Sequence, residues 1–277
     1  DFFITTPVAE KERALVRVEA EITGGKTPRQ LTALCRILDR EGICAGEVRQ
    51  QLTAGEKTSA VFEMELSNPS LWDLDSPYLY RCEILLMEDG IILDTAGDTF
   101  GIRKIEVDAA RGFRLNGRQI KLKGGCVHHD NGFLGACAYP KAERRKLEIL
   151  KRVGYNTVRI SHYPPSLTFL KLCDEMGMLL MDEAFDVWRM GKVPMDYHLY
   201  FEAWWERDIE GMVRRDRNHP SVITYSIGNE ITERDGSNDG AAWSARLAGK
   251  VRSLDDTRFV VSALCGLNVI DEDPGSE

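Results

Sequence analysis

The first hundred residues alternate short apolar runs with turn residues, which is the pattern of antiparallel strands. The turn residues between the runs include Gly24-Gly25, Asn68-Pro69 and Asp89-Gly90. Several short strands separated by such turns are typical of two packed sheets. The pattern therefore predicts an antiparallel β-sandwich over residues 1–107, with strands at residues 14–22, 31–38, 59–66, 79–87 and 91–100.

The period of the apolar residues changes after a predicted hairpin at residues 113–118, where the Asn116-Gly117 pair suits a tight turn. Beyond it, runs of strand length alternate with stretches in which apolar residues recur at helical spacing. Such alternation builds a parallel sheet, either closed as a barrel or open as a doubly wound layer. The predicted strands are residues 120–127, 157–160, 178–181, 222–227 and 259–264.

Four of these strands end in polar residues that a packed core does not need. Polar groups at the carboxyl ends of several strands converge on one point only if the strands curve round an axis. An open sheet would bind its ligand at one switch point, and no GxGxxG loop follows the first strand. The pattern therefore predicts a barrel whose site is built from His128-His129-Asp130, Ser161-His162, Asp182-Glu183 and Asn229-Glu230.

Composition narrows the class of partner. The 277 residues carry a net charge of -8, and their charges alternate in sign along the predicted helices. No basic groove for a polyanion emerges, which argues against nucleic acid, and no apolar run predicts insertion in a membrane. We therefore expect a small neutral or cationic partner for a globular chain that is long enough for two domains.

Cysteine usage bears on the compartment. The seven cysteines are an odd number without a CxxC pair, and several lie inside apolar runs. This favours buried thiols over a disulfide framework or a zinc site, and it mildly favours a reducing, cytoplasmic location. The chain starts at Asp1 without a signal peptide, in the manner of an internal segment of a longer protein.

Five motifs occur in order in the second half of the chain: residues 124–130 (GGCVHHD), 158–164 (VRISHYP), 181–184 (MDEA), 215–221 (RDRNHPS) and 228–230 (GNE). Together they resemble glycoside hydrolase family 2, which includes β-galactosidases, β-glucuronidases and β-mannosidases. The resemblance implies an immunoglobulin-like β-sandwich at residues 1–107, followed at residues 108–277 by the first five βα units of a (β/α)8 TIM barrel. The stretch 182–188 (DEAFDVW), with Asp196-Tyr197-His198 after it, resembles the bacterial β-galactosidase-like branch.

The resemblance implies an acid/base role for Glu230. In a retaining glycosidase one carboxyl protonates the departing glycosidic oxygen, and a second forms a glycosyl-enzyme intermediate. The first role calls for a pKa raised toward neutrality, which we expect from partial burial of Glu230. Asn229 is similar to the family residue that hydrogen-bonds the sugar 2-hydroxyl. A glutamate at a strand end is also common as a solvated cap, and the other motifs favour the catalytic interpretation.

Candidates for sugar binding lie at the ends of the first three barrel strands. His129, Asp130 and His162 supply the donors and acceptors that vicinal hydroxyls need, and Trp188 is a candidate for stacking on a pyranose ring. Simpler interpretations stay open, because His129 and His128 could form a core pair, His162 could anchor a turn and Trp188 could pack a loop.

Arg159 is expected to support the site without touching sugar. It points along the second barrel strand, and Asp182 on the third strand is its predicted partner. A buried arginine–aspartate pair would orient the neighbouring groups.

The chain ends before the barrel of the family is complete. Only five barrel strands precede Glu277, whereas eight close such a barrel. The family's nucleophilic glutamate lies near the end of the seventh strand, so we expect a fragment that lacks its nucleophile and is inactive as supplied. Asp182 or Glu183 as the nucleophile is a weaker alternative, because the matching family residues are structural.

No cofactor is expected. Some β-galactosidases of the family carry a magnesium ion whose ligands include a Glu and a His just after the Asp-Glu-Ala motif. Here those places hold Val187 and Arg189. Neither side chain binds a hard cation.

The sequence therefore predicts hydrolysis of terminal β-glycosidic bonds in a β-linked oligosaccharide or glycoside, with β-D-galactosides preferred. A β-glucuronidase, which would need groups for the substrate carboxylate, and a β-mannosidase, which accepts an axial 2-hydroxyl, are alternatives from the same family. A rival from another class is a non-catalytic carbohydrate-binding or assembly protein that forms a homo-oligomer across the open edge of its sheet.

Overall fold

The computed structural model describes residues 1–233 and 239–263. They divide into two units. Unit 1 contains residues 1–123, 170–179 and 216–221, and unit 2 contains residues 124–169, 180–215 and the described part of residues 222–277. In these described ranges, no helix has both the length and the apolar character needed to cross a membrane.

Two antiparallel sheets make up most of unit 1. Their strands are β1 (Phe2–Ala9), β2 (Arg13–Ile22), β3 (Arg29–Leu38), β4 (Cys44–Ala54), β5 (Thr58–Ser67), β6 (Tyr80–Glu88) and β7 (Ile91–Phe100). One sheet has the order β1-β2-β5 and the other β4-β3-β6-β7. Alternate residues of β5 are buried, and inward side chains such as Val16, Ile37 and Phe62 share one core. The predicted sandwich is confirmed.

Two strands of the sandwich, β1 and β4, were not predicted. Both lie at the edge of a sheet. In β4 only Leu52 and Ala54 are buried, and β1 contains Pro7, which an edge strand tolerates. Periodicity misses β4 because most of its side chains are exposed, and it misses β1 because apolar and polar residues do not alternate regularly along it.

A small three-stranded antiparallel sheet follows, with strands β8 (Ile105–Asp108), β9 (Gly112–Leu115) and β10 (Arg118–Gln119). Asn116 and Gly117, between β9 and β10, have φ angles of 51° and 78°. Positive φ at both central residues is what a tight hairpin turn requires, so the predicted hairpin is confirmed.

A buried carboxylate ties segments 170–179 and 216–221 together within unit 1. Asp174 accepts hydrogen bonds from the backbone N–H of Ser221 (3.0 Å) and from its Oγ (2.6 Å). Nδ1 of His219 lies 2.5 Å from the other carboxylate oxygen. Burial would lower the pKa of His219, but the charge of Asp174 and its hydrogen bond outweigh burial and raise it. His219 in the 215–221 motif therefore has a structural role.

The second half of the chain is centred on a five-stranded sheet of order β11-β12-β13-β14-β15. Its strands are β11 (Gly124–His128), β12 (Thr157–Ser161), β13 (Leu179–Glu183), β14 (Val222–Asn229) and β15 (Phe259–Ala263), and the helices are α1 (Pro140–Arg152), α2 (Leu167–Met176), α3 (His198–Asp216) and α4 (Gly240–Leu254). The pairs β11–β12, β13–β14 and β14–β15 are parallel. This confirms the predicted barrel region, although the predicted last residue of β15, Leu264, lies outside the described residues.

Candidate active site

The carboxyl ends of the parallel strands meet at one edge of the sheet. His128 lies opposite Ser161 in the pairing of β11 with β12, and Glu183 lies opposite Ser226 in the pairing of β13 with β14. Because the strands run in the same direction, the residues at and just beyond their ends come close together. A cluster of polar side chains forms at this edge.

Glu183 is the centre of the cluster. Its side chain is fully buried, and Arg159 donates to its Oε2 from Nε at 3.0 Å and from Nη2 at 2.6 Å. Ser226 Oγ donates to the same oxygen at 2.6 Å, and Nδ1 of His162 lies 2.6 Å from Oε1. Both carboxylate oxygens are therefore engaged, and one side chain links the ends of β12, β13 and β14.

The predicted partner of Arg159 is wrong. Asp182 was expected, but the guanidinium pairs with Glu183. Successive side chains of a strand point to opposite faces, so only one of the two adjacent acids can face Arg159. Asp182 is also fully buried.

Asn229 lies next to this pair and is almost fully buried. Its Oδ1 accepts a hydrogen bond from Arg159 Nη2 at 2.8 Å, and its Nδ2 donates to Asp186 Oδ1 at 2.8 Å. An amide bound at both ends has one orientation. Arg159 therefore positions Asn229 as well as Glu183.

Glu230 follows directly, and its environment differs from the one expected. Its backbone φ is 47°, in the left-handed region that residues with a Cβ rarely adopt. The side chain is 57% exposed, and its Oε2 lies 3.3 Å from Nζ of Lys192. The expected partial burial of this carboxyl is therefore not found, and an ammonium group lies beside it instead. Backbone strain of this kind is concentrated at functional sites.

Two members of the cluster, Asp186 and Lys192, were missed by sequence reasoning. Lys192 Nζ lies 2.7 Å from Asp186 Oδ1. Burial would raise the pKa of Asp186, but hydrogen bonds from Lys192 and Asn229 outweigh burial and lower it. Asp186 lies three residues after Glu183, a signal that could have been used. Lys192 lies in a loop without periodicity, and no sequence pattern pointed to it.

The predicted sugar-binding residues lie around the ends of β11 and β12. The His162 ring meets the His128 ring edge-on, with centroids 5.4 Å apart. His129 stacks on Tyr163 at 5.2 Å, and burial, the largest influence, lowers the pKa of His129. Asp130 is exposed, and its Oδ1 accepts the backbone N–H of Gly132 at 2.8 Å. His162 is thus joined to the Glu183 cluster by a hydrogen bond, whereas His129 contacts Tyr163 and Asp130 contacts its own loop after β11.

Trp188 does not fit the predicted stacking role. Only 3% of its surface is exposed, and its indole N–H donates to the carbonyl of Ile227 at 2.7 Å. A ring that packs against β14 in this way offers no open face to a sugar. The structure favours the alternative in which Trp188 holds the loop after β13 against the strand that carries Asn229.

A cavity of about 740 Å³ lies between the loop after β13 and helix α3. It shares Asp186 with the cluster, but neither Asn229 nor Glu230 lines it. Its walls include Tyr163, Phe185, Val187, Tyr197 and Met212. This cavity is therefore a neighbour of the polar cluster and not its centre.

The residues at the positions of the family's magnesium ligands do not fit that ion. Val187 is buried and has no donor atom in its side chain, and the Arg189 guanidinium lies 2.6 Å from Oε1 of Glu202. A hard cation needs oxygen ligands, which neither side chain supplies.

Carboxyl and amide groups gathered at the carboxyl ends of parallel strands are compatible with the chemistry of a glycoside hydrolase. Residues 1–103 match the family model described as "Glycosyl hydrolases family 2", and residues 105–268 match "Glycosyl hydrolases family 2, TIM barrel domain". The chain belongs to glycosyl hydrolase family 2. The predicted division at residues 107 and 108 stays a prediction.

Several glycoside hydrolases are similar to most of this chain in sequence or in structure. The beta-galactosidase BoGH2A of Bacteroides ovatus is 42% identical over 235 residues, which cover 84% of this chain and 28% of that protein. A family 2 member from Bacteroides cellulosilyticus has a crystal structure with a TM-score of 0.94 and 42% identity, covering 98% of this chain and 35% of that one.

A β-glucuronidase of Bacteroides uniformis is also similar in structure. It has a TM-score of 0.82 and 30% identity, covering 98% of this chain and 34% of that one. The chain therefore spans roughly a third of the length of these relatives.

Proposed function

We propose that this chain is the part of a retaining β-glycosidase that carries the acid/base, and that the whole enzyme removes terminal β-linked sugars, with β-D-galactosides preferred. The observation that carries the proposal is the buried network of Arg159, Glu183 and Asn229, behind a glutamate whose side chain faces outward. The name of the Bacteroides ovatus relative supports galactosides.

In this mechanism Glu230 acts twice. Its carboxyl first donates a proton to the glycosidic oxygen as the bond to the anomeric carbon breaks. A second carboxylate, which we place outside residues 1–277, forms the new bond to that carbon. Glu230, now ionised, then takes a proton from the water that releases the sugar and restores both carboxyls.

Asn229 and His162 are positioned to bind sugar hydroxyls. Asn229 Nδ2 uses one hydrogen for Asp186, which leaves its second hydrogen for the 2-hydroxyl. The Nδ1 atom of His162 faces Glu183, which leaves Nε2 for the substrate. His129 and Asp130, on the loop after β11, would contact hydroxyls further from the reacting bond.

Glu183 is a poor candidate for the nucleophile. Its side chain is fully buried, and Arg159, His162 and Ser226 occupy its oxygens. Attack on a sugar would require at least one free carboxylate oxygen. This supports a nucleophile supplied by a strand beyond Glu277.

The similarity to a β-glucuronidase makes that activity the second candidate. The two activities differ in the group on carbon 5, a hydroxymethyl in galactosides and a carboxylate in glucuronides.

A cytoplasmic location and self-association of the enzyme remain part of the proposal.

A panel of 4-nitrophenyl β-glycosides tests the proposal. We would assay the galactoside, glucuronide and mannoside with this chain and with a form extended by three more βα units, each also as Glu230→Gln. We expect cleavage by the extended form alone, fastest for the galactoside, and a loss of at least about 100-fold in Glu230→Gln.

Glu202→Gln is the matched control, because it removes an exposed carboxyl that pairs with Arg189. It should leave the rate unchanged. Cleavage by the short chain would contradict a nucleophile outside residues 1–277. No cleavage by either form would favour the non-catalytic binding protein.

A further inference from the structure

The loop after β13 brings Lys192 close to Glu230, the proposed acid/base. Lys192 Nζ lies 2.7 Å from Asp186 Oδ1 and 3.3 Å from Glu230 Oε2. Its side chain is 27% exposed, so water screens these contacts less than those of an open surface pair. One ammonium group therefore serves two carboxyl groups.

The loop itself is built to hold Lys192 in place. Asp196 accepts the backbone N–H groups of Lys192 (2.7 Å), Val193 (3.0 Å) and His198 (3.0 Å). At Gly191, a Cβ would lie 2.3 Å from Nδ1 of His198, so the loop passes this ring too closely for a side chain. The backbone on both sides of Lys192 is thus fixed by hydrogen bonds and packing.

Lys192 pairs with Glu230, whereas the other cations nearby pair with other carboxylates. Arg159 in the cluster pairs with Glu183, and Arg189 in the loop after β13 pairs with Glu202. Glu233 accepts the backbone N–H groups of Arg189 and Met190, and His162 faces Glu183. Asp186 shares Lys192 with Glu230, and Asp196, another acid of the loop, accepts backbone N–H groups.

We propose that Lys192 is a positioning residue for Glu230, an inference that rests on the proposed function. The ammonium aims the exposed carboxyl toward the glycosidic oxygen. It also stabilises the carboxylate that remains once the proton has moved to the leaving group, which is the form needed as base in the second step. Asp186 fixes the ammonium and links it to Asn229.

The test uses the full-length protein that contains this chain, with Lys192→Met, Lys192→Arg and Glu230→Gln. Lys250→Met is the control, because Lys250 pairs with Glu206 and Glu210 on the helices. Each form is assayed on a phenyl β-galactoside, which needs protonation of its leaving group, and on a 2,4-dinitrophenyl β-galactoside, which needs little.

In Lys192→Met we expect kcat/KM for the phenyl galactoside to fall by about 10- to 100-fold, and the value for the dinitrophenyl galactoside to fall by less than about 3-fold. Lys192→Arg should recover most of the rate, and Lys250→Met should match the wild type.

Equal losses on both substrates would show that Lys192 only supports the fold, and would overturn the inference. So would a Lys192→Met enzyme that matches the wild type while Glu230→Gln is impaired. If the wild type cleaves neither substrate, or Glu230→Gln has no effect, the proposed function itself fails, and the inference fails with it.

Discussion

The carboxylate of Glu183 should be the most sensitive point of the cluster. Glu183→Gln keeps the size of the side chain and removes the charge that faces Arg159, His162 and Ser226. The guanidinium of Arg159 would keep Asn229 as a hydrogen-bond partner but lose its counter-ion. An amide group also presents N–H where one of these donors expects an acceptor.

The expected cost follows from burial. Removing one partner of a buried ion pair costs about 3 to 5 kcal/mol of unfolding free energy. Arg159 is 22% exposed, and solvent access to one partner places this pair at the lower end of that range, about 3 kcal/mol. Ser226→Ala, which removes one bond to the same charge, should cost about 1.5 to 3 kcal/mol.

Urea unfolding followed by tryptophan fluorescence measures these differences, with Trp188, which packs against β14, as a buried reporter. The double variant Glu183→Gln/Arg159→Met should be less destabilised than the sum of the single variants by at least about 1 kcal/mol. Glu19→Gln, in an exposed pair with Arg17, is the control and should match the wild type. A Glu183→Gln protein as stable as this control, or additive single effects, would refute the reasoning.

Three further predictions concern other parts of the chain. Because Asp174 raises the pKa of His219, their pair contributes stability that is complete below about pH 6.5 and is lost as pH rises through the folded-state pKa. The Tm should therefore fall over this pH range, and His219→Gln should remove that fall. An unchanged fall in the variant would contradict the pairing. Gly228→Ala should lower the Tm by several degrees in calorimetry, because the new Cβ would lie 2.7 Å from Nε1 of Trp188. In the control Gly249→Ala on α4, the new Cβ meets no atom within 4 Å, so the Tm should stay the same or rise. Equal Tm values for the two variants would refute the close approach. Trp188→Phe should cost roughly 1 to 3 kcal/mol, since it leaves a buried carbonyl without its donor, and should leave the KM of the full-length protein for aryl glycosides unchanged; a raised KM with unchanged stability would restore the stacking role.

Much of the fold could be predicted because most of its strands are apolar runs of strand length bounded by turn residues. The strands β2, β3, β5, β6 and β7 of the sandwich and the five barrel strands all overlap the predicted segments. The strands β1 and β4 could not be found, since β4 exposes most of its side chains and β1 lacks a regular alternation of apolar and polar residues. The resemblance to family 2 depended on five motifs of the second half of the chain, most of them at the ends of parallel strands.

The candidate site was predicted in its strand-borne part only. The strand ends indicated Arg159, Glu183, Asn229 and Glu230, because polar residues after apolar strands have few structural reasons to be there. The choice of Asp182 over Glu183 failed, since the face of a strand that one residue occupies depends on register and not on composition. The role of Lys192 could not be predicted, because the conformation of a loop without periodicity determines where this side chain lies.

The most direct measurement of the central claim is azide rescue of the full-length protein that carries Glu230→Ala, with 2,4-dinitrophenyl β-galactoside as substrate. If Glu230 is the acid/base of a retaining enzyme, the variant should form its glycosyl-enzyme intermediate and release it slowly, because no base activates water. Azide should then raise the rate and yield β-galactosyl azide. A rate that azide does not change, or an α-linked azide product, would contradict the account.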